Sequence, residues 1–348
     1  MHARMRLILT LILFCPLILT AQTKYNSESR KLFKQAEKEY KSGNVTIALG
    51  LFEECVKADP RHAEGYLNIS LIQYSKKQMG DAFKNAKRAY ANNKFDPSIY
   101  AQLGKCYYHA MMYDSSAVFL GKSVDMGKTD ETIYIYLGKA SMQNEEYQDA
   151  KDFLAKAIEI NDKNPVSYNV RGMVLFNEGE YADAELDFEK ALELNSKSAG
   201  LYVNLANCEL ENNKPEEALA HINEGMVIAD NEGKTQLFLL LGNYYHRNGE
   251  LDLALENFDK AYDLDRNNAH ILNNQAAVLL ERDDFESAVA KCNLALEINP
   301  EMMEAYYNRG IANEMLRKVE EACSDWEQAF ILGSEKAEEF LNGPTCNE

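Results

Sequence analysis

The stretch from Pro165 to Ser198, PVSYNVRGMVLFNEGEYADAELDFEKALELNSKS, decides the fold, because near-copies of it recur every 34 residues on both sides. Within it Tyr168, Gly172, Leu175 and Phe176 fall on one side of a first helix. Gly179-Glu180 reads as a turn, and Ala184, Phe188, Ala191 and Leu194 stripe a second helix. A hairpin of this kind leaves one apolar face uncovered. Only another hairpin can cover it, so the sequence specifies a stack of repeats and not one central core.

Outward from this stretch, nine units start at Ser29, Ala63, Pro97, Glu131, Pro165 and Ala199 in one register, then at Thr235, Ala269 and Met303 after a two-residue slip at Gly233-Lys234. Position 8 of the unit reads Ala36, Ser70, Gly104, Gly138, Gly172, Ala206, Gly242, Ala276, Gly310. Position 20 reads Ala48, Ala82, Ser116, Ala150, Ala184, Ala218, Ala254, Ala288, Ala322. Small side chains there let paired helix axes approach to about 8 to 10 Å. Tyr66, Tyr100, Tyr134, Tyr168, Tyr202, Phe238 and Tyr306, at position 4, fill the space left beside them.

This pattern resembles the tetratricopeptide repeat, whose signature is an aromatic at position 4, Gly or Ala at 8, Ala at 20, an aromatic at 24 and Ala at 27. Nine units cover 306 of 348 residues. The resemblance implies an all-α fold, a right-handed α-α superhelix of nine hairpins over 29–62, 63–96, 97–130, 131–164, 165–198, 199–232, 235–268, 269–302 and 303–336. A polar lead (22–28) precedes them, and a cap helix and tail (335–348) close them. The slip at Gly233-Lys234 is read either as a hinge or as a loop variation.

The chain carries 37 Lys and Arg against 55 Asp and Glu, a net charge of −18. An acidic surface of this size repels phosphate backbones and anionic headgroups, so nucleic acid is not expected as a partner. Residues 1–21, MHARMRLILTLILFCPLILTA, combine a basic head, an apolar run from Leu7 to Leu19 and small residues before Gln22. They read as a secretory signal peptide cleaved after Ala21, which places the mature chain outside the cytoplasm. The implied setting is the periplasm or cell envelope of a Gram-negative bacterium, with peripheral envelope association and no transmembrane span in the mature chain. Export makes the cysteines worth placing. Cys55, Cys106, Cys208 and Cys292 fall at apolar repeat positions and read as buried small hydrophobes. Cys323 and Cys346 stand where a disulfide would pin the terminus, but the sequence leaves their pairing open.

No GxSxG, HExxH, P-loop or GxGxxG motif occurs, and His62, His109, His221, His246 and His270 lack metal-ligand spacing. No catalytic residue, metal or cofactor is therefore expected. The family resemblance implies instead that positions 2, 5, 9, 12 and 13 of each first helix line a groove for a protein or peptide partner. Those positions hold Leu67, Leu71, Tyr74, Lys105, Tyr108, Lys139, Met142, Met173, Phe176, Asn207, Leu210, Asn243 and His246. The middle of that surface is apolar with aromatics, Met and Lys, which suits an extended peptide or a helix. A known family mode, the carboxylate clamp for chaperone tails, needs Lys at position 5, Asn at 9 and Asn at 6 of the next repeat. Asn243 and Asn274 match, but Leu239 stands in the lysine's place, and that mode is rejected. The reading is an exported scaffold for protein-protein interaction in a cell-envelope complex. A glycan- or peptidoglycan-binding module using groove tyrosines and asparagines is the second reading, and an enzyme with an unrecognised site the third.

Overall fold

The computed structural model describes residues 25–194 and 197–347. The expected signal peptide and the first part of the polar lead lie outside them. Two compact units are present, Met1–Thr129 and Asp130–Glu348. The first holds three hairpins: α1 (Ser27–Lys41) with α2 (Val45–Ala58), α3 (Ala63–Ser75) with α4 (Met79–Asn92), and α5 (Pro97–His109) with α6 (Tyr113–Asp125). The second holds six: α7 (Glu131–Gln143) with α8 (Tyr147–Ile160), α9 (Pro165–Asn177) with α10 (Tyr181–Glu193), α11 (Ala199–Glu211) with α12 (Pro215–Ile228), α13 (Asn231–Arg247) with α14 (Leu251–Leu264), α15 (Ala269–Glu281) with α16 (Phe285–Ile298), and α17 (Met303–Met315) with α18 (Val319–Ile331). Two short helices, α19 (Glu335–Leu341) and α20 (Pro344–Asn347), close it. All regular structure among the described residues is helical.

Local chemistry sets each boundary. First helices other than α17 start behind side-chain caps: Asn26, Asp96, Asp130, Asn164, Ser198, Asp230 and Asn268 each accept a first-turn backbone N–H, as His62 does for α3. Each hairpin turns on one left-handed residue at repeat position 15. Gly43, Gly179 and Gly249 fill it in three hairpins, while Lys77, Met111, Glu145, Asn213, Asp283 and Arg317 adopt it at φ between 57 and 61°. Between hairpins, Asp59, Asn93, Asn161, Asp265 and Asn299 accept the N–H two residues on, a turn that needs a short side-chain oxygen.

The core runs along each unit as paired sizes. Phe188 packs where a Cβ on Gly172 would sit 2.7 Å away, and Trp326 packs where a Cβ on Gly310 would sit 2.4 Å away. Where the second helix offers only Ala86 or Cys292, the first carries Ser70 or Ala276. Cys55, Cys106, Cys208 and Cys292 are free and buried. Burial pushes their thiols up, to about 11 for Cys106 and about 12 for Cys208 and Cys292. Cys323 on α18 and Cys346 on α20 are joined by a disulfide, with Cα atoms 5.7 Å apart.

Two expectations are corrected. The segment around Gly233-Lys234 is not a loop: α13 runs 17 residues against 13 for its neighbours α11 and α15. Asp230 Oδ1 accepts the Gly233 N–H at 2.9 Å, and a Cβ on Gly233 would lie 2.5 Å from the Ala199 side chain. The two added residues, with two more drawn from the connection, thus lengthen the helix at its start, where Gly233 packs on Ala199 of α11. Nor is the acidity uniform. Residues 25–129 carry 16 Lys and Arg against 11 Asp and Glu, a charge of +5, whereas residues 130–348 carry 18 against 44, a charge of −26. The repulsion argued from net charge therefore describes the second unit and not the first.

Candidate functional site

On the first-helix face of the first unit, Tyr74 and His109 are joined by a 2.7 Å hydrogen bond between Oη and Nε2, across α3 and α5. The Tyr108 ring packs on His109 and Tyr113, Lys105 is half-buried, and Leu71 is 40% exposed. Leu67 does not belong to this face. It is buried with Ala63, Tyr66, Ala89 and Ile99, because α5 seats directly against it.

In the second unit Met142 is likewise withdrawn into the core among Ala150, Leu154, Val170 and Val174, its flexible chain filling the space under α9. Lys139 is half-buried with Nζ 5.5 Å from the Tyr136 ring centre, and desolvation lowers its ammonium pKa. The first helices α9 and α11 form a recess of about 210 Å³ lined by Met173, Phe176, Asn177, Asn204 and Asn207, with Phe188 of α10 beneath. Three of the expected groove residues, Met173, Phe176 and Asn207, meet here. Leu210 instead packs on the Ala206, Ala218 and Ile222 cluster.

Amide pairs link successive first helices along this unit. Asn204 Nδ2 donates to Asn169 Oδ1 at 3.3 Å, Asn274 to Asn243 at 3.2 Å, and Asn308 to Asn273 at 2.9 Å. His246 Nε2 meets Glu281 at 2.8 Å. The two asparagines that match the carboxylate clamp are thus partners of one another, and Leu239 packs against the Phe258 cluster where a cation would be needed. Sequence reasoning passed over Asn177 and Asn204 as recess residues. The recurrence of Asn at positions 5, 6, 9 and 13 of adjacent repeats was the signal that could have found them.

The site's chemistry is that of binding. Carboxamides present both donors and acceptors over an apolar floor, and none of the six lining residues is ionisable. The acid and histidine pair of Glu209 with His221, 2.8 Å apart, lies on α11 and α12 outside the recess, where burial raises the Glu209 carboxyl. Among the described residues no group of three or more His, Cys, Asp or Glu could hold a metal ion, and no helix is long and apolar enough to cross a membrane.

Profiles of the tetratricopeptide repeat match residues 33–97, 132–164, 175–233 and 239–302, together more than half of the chain. RNA polymerase II-associated protein 3 of Homo sapiens is 35% identical over 91 residues, which is 26% of this chain and 14% of that protein. The tetratricopeptide repeat protein 36 homolog of Drosophila melanogaster is 37% identical over 98 residues, 27% of this chain and 52% of that protein. The chain therefore spans a small part of the first relative and about half of the second. A tetratricopeptide repeat protein of Parabacteroides merdae superposes at a TM-score of 0.56 with 16% identity, covering 73% of this chain and all of that one. Cut9, in its APC/C hetero-tetramer with Hcn1, superposes at 0.57 with 10% identity, covering 90% of this chain and 75% of that one. At such identities the likeness is one of fold. Hairpins in a 34-residue register and profile matches over most of their length show that the chain belongs to the tetratricopeptide repeat family.

Proposed function

We propose that the chain is an exported scaffold, not an enzyme, that holds an extended segment of a protein partner on the first helices α9 and α11. The carrying observation is the recess over Met173, Phe176 and Phe188, rimmed by Asn177, Asn204 and Asn207. An apolar floor takes one large side chain of the partner, and the carboxamides pair with the backbone on either side of it. With no ion at the rim, affinity there depends on burial and hydrogen bonding and little on salt. Export rests on residues 1–21, whose basic head, apolar run and terminal small residues carry the signal-peptide reading. A cell-envelope complex is the setting that this compartment supplies.

The test is capture from the envelope fraction by the wild type and by a Phe176→Ala, Asn207→Ala variant, both half-buried positions. Circular dichroism establishes that the variant folds. The reading requires that one defined protein be retained by the wild type and lost by the variant; equal retention by both would overturn the site. An N-terminus at Gln22 in the protein recovered from cells would support export, and an intact leader in a cytosolic fraction would contradict it.

A further inference from the structure

In the later first helices, positions 3 and 10 face the hairpin before. Ile99 and Cys106 pack on second-helix alanines of hairpin two, Leu201 and Cys208 on Phe188 and Ala184, and Ile271 and Val278 on Phe258 and Ala254. Position 6 lies between them on the same face. In α1 these three positions are Lys31, Lys34 and Lys38, all exposed, with Arg30 and Lys41 flanking them. None of the five makes an ion pair among the described residues, although the chain carries 55 Asp and Glu. A cap that only had to be soluble could use any polar residue. A seat of one sign, in a chain of opposite net charge, selects a partner with carboxylates at matching spacing.

The chain carries exposed carboxylates on its last helices. On α18 and α19, Glu327, Glu335, Glu338 and Glu339 are exposed without ion-pair partners among the described residues, with the exposed Lys336 among them, around the exposed Phe330 and Ile331, the latter 66% exposed. We propose that the lysine face of α1 in one copy docks on the acidic end formed by α18 and α19 in a second copy, head to tail. Such a contact is heterologous, so it extends into chains of copies unless the rotation closes a ring. It is independent of the recess on α9 and α11. Attraction of this kind is strong at low salt and is screened as the Debye length falls from about 30 Å at 0.01 M to about 3 Å at 1 M.

Sedimentation velocity of the mature chain across this salt range tests it. The expected result is a weight-average mass that rises about twofold or more with concentration at low salt and returns to monomer at high salt. A Lys31→Glu, Lys34→Glu, Lys38→Glu variant and a Glu327→Lys, Glu338→Lys, Glu339→Lys variant, each checked by circular dichroism, should stay monomeric alone and associate when mixed. Wild type that remains monomeric at low salt overturns the proposal, as does association that either variant leaves unchanged. Loss of wild-type binding to phosphatidylglycerol vesicles on α1 reversal, with no self-association, would assign the face to lipid and also overturn it.

Discussion

At the scale of single residues, space at repeat position 8 and backbone at position 15 carry the most consequence. Gly172 and Gly310 lie so close to Phe188 and Trp326 that a methyl group has nowhere to go. Gly172→Ala should cost about 1 to 3 kcal/mol, read from urea unfolding, whereas Gly50→Ala, with nothing within 4 Å and helical backbone, should stabilise by about 1 kcal/mol. Equal effects at both positions would contradict the size pairing. Met111 is 78% exposed and sits at φ 57°, so Met111→Gly should stabilise by about 1 kcal/mol despite adding a glycine. The period and the small-large pairing were legible from residue types alone. The left-handed turn residue was not, because six of its nine occupants carry a Cβ that gives no sign of it. Leu67 and Met142 were assigned to the groove from position number, which says which way a residue points but not how deeply its neighbours cover it. The buried thiols yield a pH statement. With values raised to about 11 and about 12, Cys106, Cys208 and Cys292 hold almost no thiolate at pH 8. They and Cys55 should therefore resist alkylation in the folded chain and react on unfolding, as counted by mass spectrometry.

At the scale of elements, the hairpins are held by caps and close helix crossings, and the one departure from register shows what happens when they conflict. Two residues too many could have bulged out as a loop. Instead Asp230 begins the helix early and Gly233 packs on Ala199, so that the surplus is taken up as helix against a neighbour already present. Loop and helix were indistinguishable in the sequence, since ADNEGKTQ offers both a turn-like Asn-Glu-Gly and a cap followed by helix formers. Asp230→Ala should cost about 1 kcal/mol and loosen this junction first, seen as faster amide exchange at the start of α13 than at the start of α15. Unchanged exchange there would contradict a stabilising role for the Asp230 cap. The cap helix was legible from its Glu-rich start and its Asn-Gly-Pro end, while α20 was hidden behind that proline.

For the whole molecule, composition averaged over the chain concealed a division that only the two compact units reveal: +5 in residues 25–129 and −26 in residues 130–348. The repeat family and the all-α fold could be read from periodicity, because a 34-residue recurrence constrains every packing position at once. The recess could not, since it depends on which asparagines and aromatics from consecutive first helices end up facing one space. Its occupation by a partner is the central claim, and site-specific photo-crosslinking tests it most directly. A photoreactive residue placed at Asn207 or Met173 in the intact chain should yield an adduct with one and the same protein, and the exposed Lys190 on α10 should yield none. Adducts that appear equally at Lys190, or no adduct at the two recess positions in cells expressing the full chain, would contradict it.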